Sequence, residues 1–215
     1  MEATLNEKKA KRVGGLNMGD SYKPKGVVHH DQPYVMEVQI EGTFALLFHR
    51  YDCDVAESKA RAKKGSQEKK TDNLESYVYR VPGSNELGIP GINFKQCLVH
   101  SAKFNQDPRS PRKSAMDIFK AGIQVMPEVA TLGVGNWDFE DKRGVIIQKA
   151  RIARIRPAMK PGWAVTFFVR ILLPEYITPD LLYEVITRAG MTVGLGDYRP
   201  EYGLFLLKKY ERWES

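Results

Sequence analysis

The stretch TPDLLYEVITRAG, residues 178 to 190, constrains the fold most, because it carries both ends of a helix and one apolar face. Thr178 is a side-chain cap, Pro179 suits the first helical position, where no backbone N–H is needed, and Gly190 is a stop signal. Between them Leu181, Leu182, Val185, Ile186 and Ala189 recur at helical spacing, so this helix must lie on an apolar partner. The flanks identify that partner as a sheet. VIIQKARIARIRP (145–157) and WAVTFFVRILL (163–173) read as strands, with Pro161 and Gly162 of AMKPG as a hairpin turn between them, and GLFLLKKYERW (203–213) reads as a further strand.

The first half supplies a matching set. From Tyr34 the alternation Val35, Glu37, Val38, Gln39, Ile40, Glu41 has period two, and FALLFHRY continues past Gly42 as a second apolar run. ESYVYRV reads as a strand and PGSNE as a turn. LGIPG leads into a helix whose buried face is Phe94, Cys97, Leu98 and Ala102. Gln106 to Lys113 is a polar break, SAMDIFKAGIQV a short helix ending near Gly122, and 125–144 a Gly/Pro-rich run of loops with a short hairpin. The order is strand, helix, irregular insertion, strand, strand, helix, strand, with 145–157 as the second strand of the core. That order is an α+β, ferredoxin-like (RRM-like) split βαβ plan. A chain of 215 residues with 42% hydrophobic residues suffices for one such core, at 33–215, and residues 1–32, polar and without hydrophobic period, read as a flexible basic arm.

Charge bears on partners. The net charge is +7, and Lys142 to Lys160 holds seven cations and no acid, equal to the whole net charge. A second excess lies at 57–73, including Lys63 and Lys64, as a loop or short exposed helix. Such a balance biases partners toward polyanions, although solvated surface accounts for charge runs as well. No apolar run is long enough for a membrane span and the N-terminus lacks a secretory signal, so the expected location is cytoplasmic. With only Cys53 and Cys97, neither a disulfide framework nor a zinc site is indicated. No Walker loop, dinucleotide fingerprint or nucleophile elbow occurs, and no cofactor or metal is expected.

Two short motifs occupy fixed places in this plan. GIPGINFKQCLVH (88–100) places Ile89, Pro90 and Gly91 at the entry of the first helix, followed by Lys95 and Leu98. GLGDYRPEYGLF (194–205) lies between the last helix and the last strand, with Gly194, Gly196, Arg199, Gly203 and Phe205. Together they resemble the RAMP superfamily, the ferredoxin-like RNA-binding proteins of CRISPR effector complexes. The similarity is strongest to the backbone subunits that polymerise along guide RNA, and to stand-alone relatives of similar size in phage-type gene sets. The resemblance implies a single-stranded RNA- or DNA-binding protein that multimerises along its strand into a filament or ring.

Physically, glycines at 194 and 196 permit close backbone approach to a ligand, Arg199 adds a planar charge, and Tyr198 and Tyr202 offer faces on which bases stack. A long turn with a packed tyrosine is the alternative. Lys149, Arg151, Arg154 and Arg156 project together only if a bulge near Ala153 corrects the strand phase; without it they divide between two faces, as on a charge-protected edge strand. The expected grip is therefore Lys95, Lys149, Arg151, Arg154, Arg156 and the glycine-rich loop, reinforced by the basic loop. Catalysis is the rival class. Some RAMP relatives cleave RNA with a histidine or a loop aspartate, which directs attention to His49, Asp52, Asp54 and His100. No carboxylate pair or metal-ligand spacing supports these residues, so an enzyme is not the preferred reading; a structural, partner-binding subunit whose basic charge serves solubility is the further alternative.

Overall fold

The computed structural model describes residues 32–61, 73–147 and 150–214. The main sheet has four antiparallel strands in the order β12 (Phe205–Arg212), β1 (Tyr34–Gly42), β11 (Ala164–Ile171), β7 (Ile123–Met126). One face of β1 is buried at Tyr34, Met36, Val38, Ile40 and Gly42, so the period-two pattern reports a central strand packed on one side. That side is covered by α2 (Gly91–Ala102) and α4 (Pro179–Thr192). Phe94 of α2 stacks on Phe167 of β11 at 4.2 Å between ring centroids, and the Ser101 hydroxyl donates to the Val185 carbonyl at 2.9 Å, tying the helices together. This is the ferredoxin-like arrangement: β1 and β7 run parallel around β11, and β11 and β12 run parallel around β1.

The second core strand is not where the sequence pattern put it. β7, Ile123–Met126, fills that place directly after α3 (Met116–Gly122). The basic segment instead forms β10 (Ala150–Met159), paired with β9 (Phe139–Ile147) and with β2 (Leu46–Leu47) in a separate sheet. The Pro161–Gly162 turn joins β10 to β11, but the chain changes sheets there rather than closing a hairpin. A four-residue strand carries almost no periodic signal, whereas a ten-residue segment in which Arg and Ile recur carries a stronger one, which drew the assignment to the wrong segment.

Smaller corrections have local causes. α4 runs through Gly190, where the missing Cβ admits the Phe205 carbonyl and ring, and stops at Gly194 (φ +73°), whose N–H reaches the Ala189 carbonyl. ESYVYRV starts inside a 3₁₀ turn (Leu74–Tyr77) and holds only a two-residue strand, β3 (Tyr79–Arg80), which pairs with β4 (Leu87–Pro90). β4 pairs in turn with β8 (Val129–Thr131). Cys53–Arg61 is a helix, α1, and Gln106–Asp107 with Ser110–Ser114 form a small hairpin, β5–β6, after α2. The remainder of the basic loop, with Lys63 and Lys64, and the arm up to residue 31 lie outside the described residues. No helix among the described residues is long and apolar enough to cross a membrane.

Candidate nucleic-acid interface

β1 and β7 both end at the same rim of the sheet. α2 starts there and α4 ends there, so the helix entry and the glycine-rich loop, about a hundred residues apart in sequence, become neighbours; the Cys97 thiol donates to the Gly194 carbonyl at 3.2 Å. Below this rim opens a groove of about 740 Å³. Its walls include Arg50, Tyr79, Arg80, Ile92, Lys95 and Met126. Arg50 lies over the Tyr79 ring at 5.4 Å, and neither Arg50 nor Lys95 has an ion-pair partner among the described residues. Arg80 is different: Glu75 holds it at 2.7 Å, and the Asn85 and Gly135 carbonyls accept its remaining donors. One carboxylate-bearing residue, Glu128, also lines the groove. Pro90 and Gly91 open α2 with no side-chain cap and no acid in the first turn; the Gly91 N–H donates to the Glu128 backbone carbonyl at 2.7 Å, and the positive end of the helix lines the groove beside Lys95.

Tyr79 and Pro90 also line a smaller cavity of about 90 Å³, with His49, Gly196 and Asp197 on its far side. There β10 meets the glycine-rich loop. The β9–β10 ladder runs from Ala150↔Ile147 to Ala158↔Phe139 without a register shift, so no bulge occurs at Ala153. Arg154 and Arg156 share one face; the side chain of Arg151 and all of Lys149 lie outside what is described. Arg156 is only 5% exposed, pairs with Asp197 at 2.6 Å and lies 4.6 Å from the Tyr198 ring centroid. Arg143, opposite Arg154 on β9, is bound by Asp141, donates to the Tyr202 hydroxyl, and lies 4.4 Å from the Tyr202 ring and 5.2 Å from that of Tyr198. The tyrosine faces expected to receive bases are thus already in contact with the protein's own guanidiniums.

The loop glycines serve the fold. A Cβ on Gly203 would overlap the Leu195 carbonyl, and one on Gly196 would crowd the Leu47 carbonyl; both adopt positive φ. The N–H groups of Leu195, Asp197 and Gly203 donate to Gly203, Leu47 and Ala45 carbonyls, so the phosphate cradle expected of them is satisfied internally. Arg199 remains exposed at the tip.

Arg154 approaches His49 Nε2 at 2.6 Å, and His49 stacks on Tyr77 at 5.0 Å. Burial holds the imidazole below its ordinary pKa; Asp197 opposes this, while Arg154 and Arg156 reinforce it. A neutral imidazole leaves the charge of Arg154 uncancelled. Asp52 accepts from the Asp54 N–H at the start of α1, and His100 is exposed in the last turn of α2, whereas His49 shares a cavity with Pro90 at the start of that helix. His100 is thus not brought to His49 by α2. Sequence reading missed Arg50, Tyr79 and Asp197: the first two flank irregular backbone, and Asp197 gains meaning only when β10 packs on its loop.

The class these features define is a ferredoxin-like α+β domain carrying a cationic groove at one rim. No protein-family model matches the chain, and no curated protein does. Among solved structures it is similar to a chain in the cryo-EM structure of the Type III-B Cmr-beta bound to cognate target RNA, with a TM-score of 0.56 and 15% identity over 85% of this chain. It spans 61% of that chain. The likeness is one of fold.

Proposed function

We propose that this protein binds single-stranded nucleic acid, RNA in the first instance, without reading its sequence, and assembles side by side along the strand. The observation that carries this is the groove itself: Arg50 and Lys95 form no ion pair among the described residues, Tyr79 and Ile92 provide flat and apolar wall, and the start of α2, with no acid in its first turn, adds its dipole. Arg154 and Arg199 extend the positive rim past the glycine-rich loop. Arg156, Tyr198 and Tyr202 act by fixing β9–β10 and the loop rather than by touching the strand. Phosphate contacts of this kind are sequence-independent and salt-sensitive. The similar chain in an RNA-bound complex supports RNA as the first ligand to test.

The test is fluorescence anisotropy of labelled single-stranded RNA, single-stranded DNA and duplex DNA at two salt concentrations, with light scattering of the complexes against strand length. Lys95→Ala and Arg154→Ala are each expected to flatten the single-strand salt slope by about 0.7, equally for every sequence. An unchanged slope in both variants discards this surface. A second reading, RNA cleavage with His49 as base, rests on the neutral imidazole beside Arg154; a gel of the same RNA, intact after incubation, excludes it.

A further inference from the structure

The opposite end of α2 carries a second cationic surface. The helix closes with exposed His100 and Lys103; Phe104, 53% exposed, stands next in the chain with the Lys103 ammonium 4.7 Å from its ring centroid. Beside them the β5–β6 hairpin presents Arg112 and Lys113, both exposed. Nearby acids are engaged: Asp107 is buried against Arg109 at 2.7 Å and within electrostatic reach of Lys113, Asp117 bridges to Lys120, and Glu184 accepts from Asn105. Among the described residues no carboxylate lies within ion-pair distance of Lys103, Arg112 or Lys113. The backbone beneath is fixed as well, since Arg188 of α4 donates to the Phe104 carbonyl at 2.9 Å. An exposed ring amid unpaired cations is what a base flanked by phosphates would meet, and the fold gives Phe104 no packing reason to stand in water.

We infer that this far end is a second contact surface for a single strand, with Phe104 stacking a base and Lys103, Arg112 and Lys113 holding phosphates. The inference rests on the function proposed above. α2 has 12 residues, so the two surfaces stand roughly 18 Å apart. At about 3.4 Å per stacked nucleotide a strand needs on the order of five to reach both. Within one bound strand the second contact is intramolecular and strengthens binding without new sequence preference.

The experiment compares an oligouridine of about four nucleotides with one of about twenty, bracketing that span, on the full chain. The variants are Phe104→Ala, the double Lys103→Glu/Arg112→Glu, and Lys95→Ala as reference, each with its thermal melt to show that the exposed changes leave the fold intact. Phe104→Ala is expected to weaken the long strand about tenfold and leave the short one unchanged. The double variant is expected to lower the long-strand salt slope by about 1.4. Unchanged long-strand binding in both, with Lys95→Ala still weakened, overturns this inference and leaves the proposed function standing, as an acidic protein partner at this end would. Equal weakening of both lengths overturns the spanning arrangement. If none of the three variants alters binding, the groove proposed above is not the contact and this inference falls with it; no binding of either strand by the unaltered chain is the result that removes the proposed function itself.

Discussion

Removing Asp197 should damage the protein more than removing the arginine it holds. The Arg156 side chain is 6% exposed and that of Asp197 35%, with 2.6 Å between Nε and Oδ2; Arg156 Nη1 is buried with no hydrogen-bond partner. Asp197→Ala therefore leaves a buried guanidinium facing only the Tyr198 ring. Breaking a fully buried pair costs about 3–5 kcal/mol, and because Asp197 is a third exposed, water entering its place reduces this to about 2 kcal/mol. Arg156→Met leaves the opposite residue behind, a carboxylate that water already reaches, and fills the cavity with a chain of similar length, so the cost is about 1 kcal/mol or less. With a urea m-value of about 2 kcal/mol/M the midpoint should fall by about 1 M for Asp197→Ala and by less than half of that for Arg156→Met. Equal shifts, or a larger one for Arg156→Met, would refute the claim that desolvation of the stranded charge dominates.

Gly203→Ala combines positive φ with overlap against the Leu195 carbonyl and should cost more than about 3 kcal/mol. Gly83→Ala has the same φ sign and open space around it, so about 1 kcal/mol is expected; comparable thermal shifts would show that the loop yields. His49 is held neutral chiefly by burial, so its folded pKa lies below the unfolded value of about 6.5. The unfolded chain then binds the extra proton first: this contribution to stability is complete above that value and declines as pH falls through the folded pKa, by at most about 1.4 kcal/mol per pH unit. The urea midpoint should drop between pH 7 and pH 5.5 and the drop should shrink in His49→Gln; an identical drop in both assigns it to other groups.

Much of the architecture was legible because long periodic segments announce themselves. β1 shows its buried alternation, and α4 shows its Thr178 cap, whose hydroxyl accepts from the Leu181 N–H at 3.2 Å. Legibility failed where an element is short or where a residue's meaning depends on a remote neighbour. Four residues of β7 cannot advertise themselves, and Gly190, which reads as a stop, is small because Phe205 crosses it. In the groove, the place of Lys95 beside the helix entry was readable from local sequence. Tyr79 was not, since its strand has two residues and its role comes from the groove that β7 and α2 close around it.

Charge counting failed for a related reason. The run from Lys142 to Lys160 contains no acid, yet folding brings acids to it: Glu140 to Lys142, Asp141 to Arg143, and Asp197 to Arg156. Arg156 and Arg154 lie on the same face of β10, two residues apart, but one reaches a carboxylate and the other a histidine held neutral. Only the second retains an uncancelled charge. A polyanion therefore meets fewer free cations on β10 than the sequence lists, and the free ones at this rim, Arg50, Lys95 and Arg154, come from three different segments. Their proximity is a product of topology: parallel β1 and β7 end at one rim, where α2 begins, and β2, just past the end of β1, pairs with the end of β10. Binding should therefore respond steeply to changes in that topology, such as a lengthened β1–β2 turn, and weakly to charge added along the distal part of β10.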